Sequence, residues 1–225
     1  MTLFYHAVAI LPCILVCYAI YRIDHYEREP FGPLALGYVG GAAAALAFAA
    51  ISTALLDLFA DIKTEPLRLG AQALLAIALP EEGVKLAVFG LLVWPWRFFD
   101  EPMDGIVYAV WIGMGFASVE NLMYLHSDAL AESLLIRLLS AMPAHLLFAV
   151  ISGYYLGLAK FGPMSPARAL SLAFALPILA HALYDWLILQ RLASWLPAFG
   201  VLGLYWSFYY VERMVRRHLD HSPFR

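Results

Sequence analysis

Charge is scarce in this sequence. Of its 225 residues only 14% are Asp, Glu, Lys or Arg, while 63% are hydrophobic and the mean hydropathy is +0.76. Soluble domains average about one quarter charged and about half apolar, so a water-soluble globule is excluded; lipid must form part of the solvent. The formal net charge of −3 and the lack of a long basic block give no ground for a nucleic-acid or acidic partner. Cysteine is nearly absent. Cys13 and Cys17 share one face of an apolar run and read as packing groups, since a disulfide framework needs loops and more cysteines. The first apolar run has no basic residue ahead of it and no small-residue cleavage site behind it, so it reads as a retained helix, not a signal peptide. Linkers, low-complexity tracts and internal repeats are missing too. The chain reads as one domain, 1–225.

What is present is apolar helix. A bilayer core takes about 20 apolar residues, and roughly seven runs approach or exceed that: 3–21, 33–59, 69–96, 104–125, 133–160, 168–190 and 196–213. The breaks carry turn and charge signals, as in Asp24 to Pro33, Asp61 to Arg68, Arg97 to Asp104 and Gly162 to Arg168. The expected fold is an all-α polytopic bundle of about seven transmembrane helices. Basic residues set its orientation. One side collects Arg22, Arg28, Arg97, Lys160, Arg168, Arg213, Arg216, Arg217 and Arg225; the other has Lys63, Arg68 and Arg191. This bias places the chain in the cell membrane with its N-terminus outside and its C-terminus in the cytoplasm, and Arg137 is expected to snorkel to the outer surface. Gly37, Gly40 and Gly41, and Gly153 with Gly157, have the small-residue spacing that lets helices approach closely.

Ionisable groups inside spans cost a few kcal/mol each and default to functional hypotheses. The third run holds Glu81, Glu82 and Lys85, the fourth Glu120 and Asn121, the fifth His145, and the sixth His181 and Asp185. Lys85 is four residues from Glu81 and three from Glu82 and can pair with either; His181 and Asp185, four apart, share a face. At a rise of about 1.5 Å per residue, Glu81 and His145 lie roughly 18 Å below the outer surface, His181 roughly 14 Å, and Glu120 and Asp185 roughly 8 Å. Four helices thus bring polar groups to the middle and outer half of the membrane. Pro80, Pro143 and Pro177 precede three of these sites, and proline inside a helix bends it and frees a carbonyl, which suggests kinked helices around a hydrated cavity.

Four carboxyls against the single charge of Lys85 cannot all stay ionised in a low-dielectric site. Either some hold protons or a divalent cation balances them, and both outcomes suit hydrolysis. A carboxylate can serve as general base toward water while histidine polarises a carbonyl. Alternatively His145 and His181 with Glu120 or Asp185 can hold zinc with an open position. Blander readings exist for each group: a locking Glu82–Lys85 pair, a packing histidine at His145, a solvated Glu120-Asn121 near the interface. His6 and His126 have no comparable context.

In their order along the helices, Glu81-Glu82-x-x-Lys85, Phe116-x-x-x-Glu120-Asn121, His145 ahead of Gly153-Tyr-Tyr-Leu-Gly157, and His181-x-x-x-Asp185 resemble the PrsW family of intramembrane proteases. Asp24 through Pro30 and Phe99-Asp-Glu-Pro-Met-Asp104-Gly105 look like that family too, so the resemblance covers a core of about 20–190. It implies a polytopic intramembrane endopeptidase related to the CAAX prenyl proteases and bacteriocin-processing enzymes. Glu81, Glu82, His145 and His181 would be catalytic, with Lys85, Glu120, Asn121 and Asp185 in support, and the enzyme would be either metal-dependent or metal-free. Lys85 stands where the prenyl-protease branch has Arg, and Glu120 where it has His, which points away from a prenylated substrate. The implied substrate is a membrane-bound protein, such as a single-span anti-sigma factor, cut near its extracytoplasmic side in signal transduction. An ion- or proton-coupled transporter and a non-catalytic membrane scaffold are the alternatives that the buried acids also admit.

Overall fold

A computed structural model describes residues 2–125 and 130–225, and His126 lies outside them. The described residues are helical throughout, with no strand among them. Helix α1 is Thr2–Ile23 and α2 is Phe31–Asp57. Helix α3, Glu65–Ala71, runs through a π-helical segment, Gln72–Ala78, into α4, Leu79–Val88, and a second π-helical segment, Phe89–Val93. Then come α5, Pro102–Leu125; α6, Leu130–Leu139; α7, Ala141–Phe161; α8, Pro166–Leu189; and α9, Leu196–Asp220.

Each of the seven apolar runs falls on helix. Five stretches are long and apolar enough to cross a membrane: Leu3–Ile23, Phe31–Asp57, Pro102–Leu125, Leu134–Phe161 and Pro166–Leu189. The remaining two runs are helical but carry the buried charges of α4 and the charged last turns of α9. The chain is thus a polytopic helical membrane protein. The outer helices turn large apolar side chains outward, among them Leu11 and Leu15 on α1, Leu36, Val39 and Leu46 on α2, and Leu179 and Leu183 on α8. Contiguous faces of that kind fit lipid and not water.

Helix α5 is the axis of the bundle. Its apolar window is 72% buried, against 17% for α2, and it packs against α1, α2 and α7. Glycine brings the backbones together. A Cβ on Gly41 would strike the carbonyl of Ile112, one on Gly115 that of Tyr38, and one on Gly105 would meet the carbonyl oxygen of Gly153 at 2.5 Å. Gly157 abuts the carbonyl of Pro102 in the same way.

The three prolines act differently from one another. Pro177 lies inside α8 as expected. Pro143 does not kink a continuous fifth helix: the run breaks at Ser140 (φ −130°, ψ −60°), and Pro143 falls in the first turn of α7. An N–H missing there leaves no carbonyl unpaired, because the first turn has no intrahelical acceptors to offer. Pro80 follows directly on the π-helical segment, where the N–H of Leu79 reaches back five residues to Leu74 O. That widened turn accommodates a ring that would clash in a regular α-helix.

The tight crossings yield a prediction. Gly41→Ala and Gly153→Ala should each cost about 1–3 kcal/mol or more, as overpacking does, read as a lower midpoint of thermal unfolding in detergent. Gly203, whose Cβ would meet nothing within 4 Å, should tolerate Gly203→Ala with a gain of roughly 0.5–1 kcal/mol.

Candidate active site

Five helices, α4 to α8, deliver charged or imidazole side chains to one place. From α4, Glu81, Glu82 and Lys85 are all buried, as are His145 on α7 and His181 on α8. Lys85 is the hub. Its Nζ donates to Glu82 Oε1 at 2.7 Å, pairs with Glu81 Oε2 at 3.5 Å, donates to His145 Nδ1 at 3.2 Å, and sits 4.1 Å from the centre of the Phe116 ring. An ammonium has three protons and no acceptor, so Nδ1 of His145 must be the accepting nitrogen. The proton of that ring is then on Nε2, which donates to Glu120 Oε2 at 2.7 Å.

His181 is gripped on both sides. Its Nδ1 lies 3.0 Å from Glu82 Oε1 and its Nε2 3.3 Å from Asp185 Oδ2. The pattern accommodates an imidazolium, or a neutral ring with one carboxyl holding the shared proton. The Phe148 ring stacks on His181 at 4.7 Å and 19°, fixing its plane. The two histidine rings are 5.7 Å apart.

One member of the cluster was misplaced by sequence reasoning. Arg137 does not snorkel to the surface. Its guanidinium pairs with Glu120 Oε2 at 3.0 Å, donates through Nε to Asn121 Oδ1 at 3.1 Å, and covers the Tyr124 ring at 3.9 Å. The balance is therefore four carboxyls against two fixed cations, not one. The signal available in the sequence was the imbalance itself: a second cation was needed, and Arg137 was the basic residue inside an apolar run. Asn121 stands one step outside the cluster, its Nδ2 donating to Ala9 O at 3.2 Å and so tying α5 to α1.

A cavity of about 470 Å³ opens beside these groups, lined by Glu81, Glu120, Arg137, His145, His181 and Asp185 and walled by apolar side chains including Phe48 and Phe148. Its volume lies in the range of ligand clefts, about 300–1,000 Å³. Glu81 Oε2 is buried and accepts no hydrogen bond among the described residues. Two sets of three ligand atoms lie within 4.8 Å of one another: Glu81, Glu82 and His181, and Glu81, Glu120 and His145. Each set has one histidine and two carboxylates, in place of two histidines and one carboxylate, and Glu81 is common to both.

Over residues 29–211 the chain matches the family described as PrsW family intramembrane metalloprotease. It belongs to the PrsW family. Relatives named Protease PrsW include one from Geobacillus kaustophilus, 34% identical over 200 residues that make up 88% of this chain and 86% of that protein. One from Clostridioides difficile is 30% identical over 80% of this chain and 77% of its own length. One from Bacillus subtilis is 38% identical over 52% and 53% of the two chains. No solved structure matches. PrsW proteins are intramembrane proteases, so the membrane-embedded acids and histidines of this chain belong to a protease family with a protein substrate.

Removing the hub should be costly whatever the chemistry. Lys85→Met leaves Glu81 and Glu82 without their cation, a loss on the order of 3–5 kcal/mol for a broken buried pair. Adding Glu82→Gln to Lys85→Met should recover part of it. Chemical unfolding in micelles measures both.

Proposed function

We propose that this PrsW protein is an endopeptidase that cuts a membrane-bound protein, such as a single-span anti-sigma factor, near its extracytoplasmic face, with Glu81 as the general base. The observation that carries this reading is the difference between two adjacent glutamates. Glu82 Oε1 is committed to both Lys85 and His181. Glu81 lines the cavity, and its Oε2, 3.5 Å from Lys85 Nζ, accepts no hydrogen bond among the described residues. A base must be free to take a proton from water within about 2.6–3.2 Å, and Glu81 has that freedom.

In the proposed reaction Glu81 accepts a proton from water as the oxygen adds to the scissile carbonyl carbon. His181 is the donor best able to turn toward the carbonyl oxygen, because it lines the cavity and its Nε2 has only a 3.3 Å ion-pair contact with Asp185 Oδ2. Glu81 then returns the proton to the amine nitrogen as the carbon–nitrogen bond breaks. Glu82 and Lys85 hold His181 and His145 in register, and Arg137 holds Glu120. The apolar wall excludes bulk water, which strengthens each of these interactions.

The family description names a metalloprotease, and the donor set fits a zinc-class ion: nitrogen and carboxylate ligands gathered around the Glu81 oxygen that accepts no hydrogen bond. Glu81 would hold it with Glu82 and His181, or with Glu120 and His145. A bound ion would supply Lewis-acid activation of water and carbonyl.

The basic residues favour an N-terminus outside and a C-terminus in the cytoplasm, which puts the cluster in the outer half of the bilayer. Kinship with the prenyl-protease group is part of the proposal, but with Lys85 and Glu120 at the two differing positions the substrate is an unmodified membrane segment.

Cleavage of a single-span reporter in cells tests the assignment. Glu81→Gln should lower the rate by roughly 10²–10⁴-fold, the usual worth of a positioned base, with normal insertion. Glu82→Gln and His181→Ala should also lower it, Glu82→Gln by less than Glu81→Gln. Undiminished cleavage by inserted Glu81→Gln rejects the base. With purified protein, chelation followed by zinc should abolish and restore cleavage if the ion is required; indifference to the chelator assigns the work to glutamate alone.

A further inference from the structure

A second set of buried acids stands far from the first. Asp24 and Glu29 come from the α1–α2 connection, Glu101 and Asp104 from the approach to α5, and all four are 0–2% exposed. Asp104 and Glu120 are sixteen residues apart on α5, about 24 Å at 1.5 Å per residue, so this cluster shares no residue or cavity with the candidate active site.

Its carboxylates are aimed. Tyr108 donates its hydroxyl to Glu29 Oε2 at 2.5 Å. The backbone N–H groups of Asp100 and Glu101 donate to Asp104 Oδ2 at 2.9 and 2.8 Å. Each carboxylate is thereby fixed by one oxygen; the other, Glu29 Oε1 and Asp104 Oδ1, is buried and receives no N–H or hydroxyl proton among the described residues, while the two carboxyls stand within hydrogen-bond reach of each other. Both oxygens of Asp24 and both of Glu101 are likewise buried and receive no such proton. The Ser222 hydroxyl is beside Glu101 but outside hydrogen-bond geometry.

Two cations are near enough for their charge to be felt at Asp24 and Asp104, but neither forms an ion pair with these carboxylates. Arg28 Nε donates to the backbone carbonyl of Asp24 at 3.3 Å, and Lys160 Nζ to that of Phe99 at 2.5 Å. Ligand oxygens of Asp24, Glu101 and Asp104 lie within 4.8 Å of one another, and so do those of Glu27, Glu29 and Asp104. Burying several carboxylates together without donors is strongly unfavourable.

We propose that Asp24, Glu101 and Asp104, with Glu29 beside Asp104, form a binding site for one hard divalent cation of the Mg²⁺, Mn²⁺ or Ca²⁺ class held by the first three, which clamps the α1–α2 connection to the start of α5. The donor set is all oxygen, as those ions require, and has no nitrogen or sulfur ligand to select zinc. The site is structural and separate from catalysis, because the bond it makes is between two connecting segments at the other end of the bundle.

Mn²⁺ is the direct probe, used on the full chain in detergent, in a Glu81→Gln/His181→Ala background that removes the carboxylate common to both ligand sets of the first cluster and one of its histidines. One Mn²⁺ per chain should bind, seen by electron paramagnetic resonance, and should be displaced by excess Mg²⁺ or Ca²⁺ more readily than by equimolar Zn²⁺. Adding Asp24→Asn/Glu101→Gln should weaken Mn²⁺ binding at least tenfold. The wild-type unfolding midpoint should rise with millimolar Mg²⁺ or Ca²⁺. The metal-free Asp24→Asn/Glu101→Gln protein should unfold at a higher temperature than metal-free wild type, since neutral amides do not repel, and should ignore the cation. No bound Mn²⁺ in the Glu81→Gln/His181→Ala background, or binding unchanged by Asp24→Asn/Glu101→Gln, overturns the site. If that second pair of substitutions prevents accumulation, the Mn²⁺ stoichiometry and the wild-type midpoint decide alone.

Discussion

The ammonium of Lys85 is the constraint on which the centre of this protein depends. A buried lysine must satisfy three protons, and here the acceptors come from its own helix and from α7, with the Phe116 face of α5 closing the shell. In a low-dielectric interior such an interaction is strong only if every partner is in place. Helices α4, α5 and α7 are therefore held in register by one side chain, and α8 joins them through the Glu82 oxygen that Lys85 also grips.

From that hub the two glutamates acquire different characters despite being neighbours in sequence. Glu82 is consumed by Lys85 and His181, while Glu81 lines the cavity with no hydrogen bond to its Oε2 and a longer, 3.5 Å contact with Lys85. Glu120 is treated like Glu82, clasped between Arg137 and His145. The cluster thus has two fastened carboxylates that orient the histidines and one loosely held carboxylate. A hydrolytic site needs that division, with rigid groups that position and one group whose protonation can change.

Much of this was legible in the sequence. The acids, the lysine and the histidines stood out because charge inside apolar runs is expensive, and spacing of three and four residues already paired Lys85 with Glu81 and Glu82, and His181 with Asp185. What spacing cannot convey is contact between helices. The link from Lys85 to His145 and the sharing of Glu82 between Lys85 and His181 arise only from packing. Arg137 was misjudged because a long cationic side chain near a helix end can equally reach water or a buried carboxylate, and the choice is made by Glu120 on another helix. The break at Ser140 was likewise hidden, because hydropathy runs unbroken across it. Two π-helical turns flanking α4 leave no hydropathy signature, although Pro80 marks the place where the first was needed.

The glycines, which as sequence signalled only helix packing, turn out to govern the site. Helix axes ordinarily pack 8–10 Å apart, and glycine at a crossing lets them come closer, which shortens the gap that Glu120 and His145 span. Gly113, on α5 between the two polar ends, faces the turn of α7 that bears His145: a Cβ there would meet Ala149 Cβ at 3.0 Å and His145 O at 3.7 Å. Gly105, Gly153 and Gly157 continue the same close crossing toward the acidic cluster at the other end of α5. The same contact surface thus sets the separation at which one pair of helices presents acids and imidazole near one end and unpaired carboxylates at the other. In a bilayer, where apolar side chains gain little from leaving lipid, van der Waals contact between backbones is what remains to hold such a crossing closed. The polar clusters are therefore consequences of a packing surface made of residues with almost no side chain.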